Sequence, residues 1–278
     1  MALLSQDTTP EIETLQIRLS QRMAPWRKMA LLGDMYASLA ALALAGLRQQ
    51  HPTESQKRLG RRLADALLGS ELAEQAFGPG SEGRGYGMIT SFVEVALHVT
   101  GILEEMGIAY AIGGSVASAI HGVVRSTLDI DIVADLQEGQ DGTFLDALGD
   151  EFYADMEAVR ESIAQRRSFN LIHLSTSVKV DIFVARPRPF DRAQLERRRL
   201  LPLTDSPARS VYVSSAEDII LAKLEWYRLG NEVSDRQWRD VLGVMKAQEA
   251  ILNWEYLRHM APEMGTSDLL ERARQAVR

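Results

Sequence analysis

The chain has 278 residues, enough for one large domain or two to three modest ones with ample core; hydrophobic residues at 46% and charged residues at 25% are ordinary for a soluble globular protein. A formal net charge of −7 excludes a protein that coats nucleic acid through its overall field, though not a local basic surface. With no cysteine there are no disulfides, thiolate metal sites or thiol nucleophiles, and the five histidines are scattered without zinc-ligand spacing.

The apolar start at 1–5 is too short for a signal peptide and Asp7 follows it, so a cytoplasmic location is the expectation. Thr9-Pro10-Glu11 predicts a helix start, with Thr9 as cap and Pro10 in the first turn; Ile12, Leu15, Leu19 and Met23 follow at helical spacing. Pro25 interrupts. The spacing predicts a second helix over 26–48, with Met29, Leu32, Tyr36, Leu39 and Leu42 or Ala43 on one face. Its run 31–47 is the most membrane-like in the chain, but it is short, alanine-rich and holds Asp34, so it reads as a buried helix and no membrane partner is expected. Thr53-Glu54-Ser55-Gln56 reads as a capping box for a third helix through Leu59, Leu63, Ala66 and Leu67, and a short helix runs to Phe77. Residues 1–77 therefore predict a helical module, either a surface for a protein partner or a packing extension. Five glycines and a proline in 78–87 predict a linker and a domain boundary.

A helix over 89–106, with Phe92, Val95, Ala96 and Val99 inward and Gly107 as its stop, leads to the most informative stretch, 110–135. It reads as strand, Gly113-Gly114-Ser115 turn, short helix and a second strand carrying Asp129 and Asp131. Side chains two apart on a strand share a face, roughly 6–7 Å apart along the backbone. Ile130 and Ile132 then face a core. Two acids side by side repel unless a cation lies between them, and a hard divalent ion such as Mg²⁺, bound together with phosphates, suits oxygen ligands. Gly113 and Gly114 let backbone approach a ligand closely, and Ser115 opens a helix whose amides suit an anion. Further on, 143–148 and 155–166 predict short helices, and 169–174 with 178–184 predict a hairpin around Ser175-Thr176-Ser177. Asp181 falls on its second strand, which can lie beside Asp129 and Asp131. Six arginines in 186–199 read as a solvated face or, more sharply, a phosphate or RNA contact surface. A strand over 211–213 follows, then helices capped by Ser215 and Ser234, and two final helices over 254–259 and 267–277. His121 and His173 read as structural.

Gly113-Gly114-Ser115, thirteen intervening residues and Asp129-Ile130-Asp131 resemble the signature of the polymerase-beta-type nucleotidyltransferase superfamily, whose third carboxylate on a later strand is matched by Asp181. Three segments are similar to its AbiEii-type toxin branch: Arg125-Ser126-Thr127-Leu128, the run 216–223 ending in Lys223, and Arg239-Asp240. Leu128 stands where that branch has a basic residue. The likeness covers about 91–248. It implies an α+β fold: helical N-terminal module, nucleotidyltransferase core with a mixed sheet over 88–213, and a C-terminal helical region over 214–278. It further implies transfer of a nucleoside monophosphate from an NTP to tRNA, as in the toxin branch, or to a small molecule, as in antibiotic-modifying enzymes. Asp129 and Asp131 would hold Mg²⁺; Asp181 would complete a second metal site and help deprotonate the attacking hydroxyl. Gly113, Gly114 and Ser115 would hold the terminal phosphates. Arg125 would neutralise the triphosphate, or pair with Asp129 or Asp131 without metal. Lys223 would reach the nucleotide or be a solvated helix lysine, and Asp240 reads as surface charge. From another class, the chain could be a non-catalytic nucleotide-binding regulator acting through its N-terminal helices.

Overall fold

The computed structural model describes residues 4, 8–79 and 91–277. Helices α1 (Pro10–Arg22), α2 (Pro25–Gln50), α3 (Gln56–Leu68), α4 (Ser70–Phe77) and α5 (Phe92–Glu105) precede the first strand. Strand β1 (Tyr110–Ile112), helix α6 (Gly114–His121) and strand β2 (Asp129–Ala134) follow. Next come α7 (Asp141–Leu148), β3 (Phe152–Tyr153), α8 (Met156–Ala164), β4 (Ser168–His173), β5 (Lys179–Val184), α9 (Pro189–Glu196), β6 (Arg199–Pro202) and β7 (Ser210–Val213). Helices α10 (Ala216–Leu229), α11 (Asp235–Gln248), α12 (Trp254–Glu263) and α13 (Ser267–Val277) close the chain. The fold is α+β, with a mixed seven-stranded sheet and helices at both ends. Nearly all of the expected linker at 78–87 lies outside the described residues.

The chain divides into two compact units, one made of Ala30–Tyr110 and Ser126–Ala185, the other of Met1–Met29, Ala111–Arg125 and Arg186–Arg278. In the first, strands run β3-β4-β5-β2. β2 and β5 are parallel, with Ile130 opposite Val180 and Ile132 opposite Ile182, and β4 is antiparallel to β5. These alternating apolar residues are excluded from water, as are Phe92, Val95, Ala96 and Val99 of α5. The two-residue β3 was too short to show as an alternation. In α2, Leu32, Tyr36 and Ala40 are buried, and Tyr36 donates its hydroxyl to the Thr176 carbonyl at 2.9 Å. This corrects the expected face: the stripe steps by four from Tyr36 to Ala40, which leaves Leu39 exposed and Leu42 75% exposed. By length and composition α2 is apolar enough to cross a membrane, and most of that stretch is not buried, so it is not the buried helix expected. The third helix begins at Gln56 with Ser55 as its cap, two residues later than the expected box. Nearer the sheet, His173 is buried and bonded to the Thr176 hydroxyl at 2.7 Å, a structural position.

In the second unit, β1 pairs in parallel with β7 at Ile112 and Val213, and β6 runs antiparallel to β7. Thr9 caps α1 and Pro10 opens it. Its inward side is not the expected apolar stripe: Ile12, Leu15 and Leu19 are exposed, and Glu13, Ile17 and Ser20 are buried. Polar partners draw them in. Glu13 pairs with the buried Lys246 ammonium of α11, and the Ser20 hydroxyl donates to the Gly122 carbonyl. Lys28 donates to the carbonyls of Ile120 at 2.7 Å and Gly122 at 3.1 Å, closing the C-terminal end of α6. Of the six arginines of 186–199, Arg186, Arg188 and Arg197 are tied by pairing, while Arg192 and Arg199 are exposed. Arg186 and Arg188 reach Asp191 and Glu225, and Arg197 reaches Glu217 at 3.1 Å while stacking on Tyr256.

His121 is structural, as expected, and donates from Nε2 to the Ser214 carbonyl at 2.7 Å. Burial pushes its imidazole down to about 4, with the charges of Lys28 and Arg199 acting the same way and the Ser214 bond opposing them. On acidification the unfolded chain therefore takes up this proton first, between about 6.5 and about 4. Stability is present above that window and falls as pH drops through it, by about 3–4 kcal/mol in all. Equilibrium urea unfolding at pH 7 and pH 4.5 should show this loss, and His121→Gln should shrink the difference between the two pH values.

Candidate active site

In the first unit the residues expected to hold a metal come together through strand register. β2 shows alternating exposure, with Asp129, Asp131 and Val133 on its less buried side. Parallel pairing sets Asp131 directly opposite Asp181 and Asp129 directly opposite Lys179. Neighbouring strands lie about 4.8 Å apart, so the four side chains form a two-by-two patch on one face. Thr127 donates its hydroxyl to Asp129 Oδ1 at 2.7 Å, and the Lys179 ammonium meets Asp181 Oδ2 at 2.7 Å. Asp181 is only 8% exposed, and its Oδ1 has no hydrogen-bond partner.

The electrostatics follow from burial and proximity. Burial pushes the Asp181 carboxyl up, the Lys179 bond and charge only partly offset this, and the Asp129 charge adds to it. Burial alone would lower the Lys179 ammonium, but the Asp181 bond and the charges of Asp181, Asp129 and Asp131 together hold it above its usual range. The patch suits a divalent ion in its hard oxygen donors and in the orphaned, buried Asp181 Oδ1. Yet no three His, Cys, Asp or Glu side chains among the described residues are gathered as a metal-ligand set, and one oxygen of Asp181 is committed to Lys179. The fit therefore rests on Asp129 and Asp131, with Asp181 turned to the lysine. Lys179 was given no role from sequence, although it shares the parity of Asp181 on a strand of the expected length, and Thr127 was named only within the 125–128 segment, without its bond to Asp129.

In the second unit, Gly113 precedes α6 and Gly114 begins it with φ +51, a left-handed conformation that favours glycine. Ser115 Oγ accepts from Arg125 Nη2 at 3.0 Å. Arg125 grips Asp240 of α11 with two donors, Nε to Oδ1 at 2.6 Å and Nη2 to Oδ2, a carboxylate partner the sequence did not suggest. Lys223 of α10 reaches Asp240 Oδ2 at 2.8 Å. Asp240 is 7% exposed and Lys223 5%, so the first is not surface charge and the second is not a solvated lysine. Burial would raise the Asp240 carboxyl, but the Arg125 bond and the Lys223 and Arg125 charges hold it below its ordinary range. Three residues expected to contact the nucleotide, Ser115, Arg125 and Lys223, are thus joined by a fourth that sequence reading left outside.

No protein-family model matches the chain, and no curated protein does. Solved structures are similar over about two thirds of it. The solution structure of the antibiotic-resistance factor ANT(2'')-Ia is 18% identical with a TM-score of 0.38, spanning 66% of this chain and 96% of that one. The crystal structure of ANT(2'')-Ia with adenylyl-2''-tobramycin is 15% identical, TM-score 0.42, over 62% and 96%. An antigenic nucleotidyltransferase-like protein from Paracoccidioides brasiliensis is 17% identical, TM-score 0.41, over 65% and 91%. Likenesses this distant fix neither activity nor substrate.

Removing the Asp240 carboxylate leaves two cations without the partner they share, one of them buried. Asp240→Ala should cost about 3–5 kcal/mol in equilibrium denaturation. Replacing Arg125, Lys223 and Asp240 together by apolar residues of similar volume should recover much of that loss, because no unpaired charge is left behind.

Proposed function

We propose that the protein is a Mg²⁺-dependent nucleotidyltransferase that moves a nucleoside monophosphate from an NTP to a hydroxyl or phosphate acceptor. The observation that carries this reading is the register of β2 and β5, with Asp131 opposite Asp181 and Asp129 on the same face. Two acids on one strand face, beside a third that is buried with an unpartnered oxygen, form a poor structural motif; the pair suits a cation and the third a base. Mg²⁺ held by Asp129 and Asp131 would supply neutralising charge for the triphosphate and the departing pyrophosphate.

The remaining work falls to the chain's own groups. Asp181, its proton affinity raised by burial, is suited to accept the proton of an acceptor hydroxyl. The acceptor oxygen bonds to the α-phosphorus as the bond to the bridging oxygen breaks, and pyrophosphate leaves with the electron pair of that bond. The turn Gly113-Gly114-Ser115 is assigned to phosphate, because left-handed Gly114 opens a helix whose first amides lack intrahelical partners. Arg125 and Lys223 are assigned to the nucleotide as well; a guanidinium carries five donors and an ammonium three, so one carboxylate does not exhaust them. The AbiEii-like segments favour tRNA as the acceptor over a small molecule.

Incubation with α-³²P-labelled NTPs, Mg²⁺, total tRNA and aminoglycoside acceptors tests this directly. Label should move to tRNA, and Asp129→Ala or Asp131→Ala should cut transfer by on the order of 10²–10³-fold while thermal melts stay native-like. Full activity in either variant would remove the metal site. NTP binding without transfer to any acceptor, unchanged in Asp181→Ala, would favour a nucleotide-binding regulator instead.

A further inference from the structure

Lys179 lies among the acids in a way that a two-ion site does not require. It and Asp181 are two apart on β5 and share a face, and register sets Lys179 beside Asp129. Its ammonium lies 2.7 Å from Asp181 Oδ2, with the lysine side chain 28% and the aspartate side chain 12% exposed. Asp181 Oδ1 is the orphaned atom, so this carboxylate has one oxygen engaged by a cation and one buried without a hydrogen-bond partner. Three carboxylates and one ammonium leave a net charge of −2, which a single divalent ion cancels. A second divalent ion at Asp181 would have to share its carboxylate with an ammonium already in contact, and the two cations would repel.

We propose that Lys179 is a fixed counter-ion occupying the second cation position, so that the site takes one divalent ion, at Asp129 and Asp131, rather than two. This rests on the reading of those two acids as metal ligands. In that arrangement Lys179 is a positioning residue: it holds Oδ2 of Asp181 and leaves the buried, unpartnered Oδ1 as the oxygen that would take the proton of an acceptor hydroxyl. The lysine thereby does for Asp181 what a metal ion would otherwise do, orienting the carboxylate without quenching its second oxygen.

Counting bound Mn²⁺ decides the matter. The full chain is titrated with Mn²⁺ in the presence of the α,β-methylene analogues of the four NTPs, which cannot transfer, and free Mn²⁺ is read by electron paramagnetic resonance with nucleotide-only controls. The wild type should bind one Mn²⁺ per chain, Lys179→Met two, and Lys179→Arg one, because the guanidinium keeps the charge. A purely packing role for the lysine stem would leave the count unchanged in Lys179→Met. Two ions in the wild type, or one in a folded Lys179→Met, overturns the counter-ion role while leaving Asp129 and Asp131 as ligands. No bound Mn²⁺ in the wild type removes both readings. The wild-type count stands by itself, and Lys179→Gln gives the same comparison should the methionine variant not fold.

Discussion

The pairing of β2 with β5 is held by the face that carries no chemistry: Ile130 and Ile132 against Val180, Ile182 and Val184, all almost wholly excluded from water. Burying five such side chains is worth on the order of 10 kcal/mol. Two carboxylates 6–7 Å apart near a protein surface repel by about 2–3 kcal/mol. The apolar face therefore wins even before any cation is counted, and it does so with register to spare. Because side-chain direction alternates with a period of two, slipping β5 by one residue would carry Asp181 into the core and Ile182 to the acids' side. The acids meet because their neighbours pack.

That arrangement leaves a charge imbalance which the chain itself half corrects. Asp181 pays a burial penalty that Asp129 aggravates, and Lys179 offsets it from the same strand, two residues away. Thr127 steadies Asp129 from the segment leading into β2. These contacts run along β5, between neighbouring positions of β2 and β5, or from the two residues leading into β2, so the patch is set largely by backbone pairing. A site built this way is well placed for precise positioning, since strands move less than loops.

The same locality explains what could be read from the sequence. Asp129, Asp131 and Asp181 were legible because strand parity and flanking isoleucines and valines are visible within a window of seven residues. The caps at Thr9, Ser215 and Ser234 were legible for the same reason, whereas Ser91, which caps α5, was passed over in favour of a helix beginning earlier. What escaped depends on partners far away in the chain. Glu13 is drawn inside by Lys246, so α1 turns its leucines outward against every periodicity rule. Asp240 sits more than a hundred residues from Arg125, and an Arg-Asp pair on a helix gives no local sign that its carboxylate is buried beneath two cations. Lys179 was within reach of parity reasoning but carried no apolar or glycine signal to draw notice.

Within the second unit, the turn assigned to phosphate owes its position to contacts at both ends of α6. An eight-residue helix is too short to hold itself together in water, so neighbours must define it. At its start, Ser115 is linked through Arg125 to Asp240 on α11 and so to Lys223 on α10. At its end, Lys28 and Ser20 take the Ile120 and Gly122 carbonyls, the acceptors a helix terminus leaves unsatisfied. Gly122 also allows the closest approach to α11: a Cβ there would lie 2.9 Å from the Ser118 carbonyl oxygen and 3.0 Å from the Val244 nitrogen. Those atoms are backbone and cannot yield as a side chain would. The helix is therefore gripped by charge at one end and by steric closeness and carbonyl capping at the other. Since α11 takes part in both grips, through Asp240 and through the backbone of Val244, the left-handed Gly114 corner is fixed by contacts far from it in the sequence.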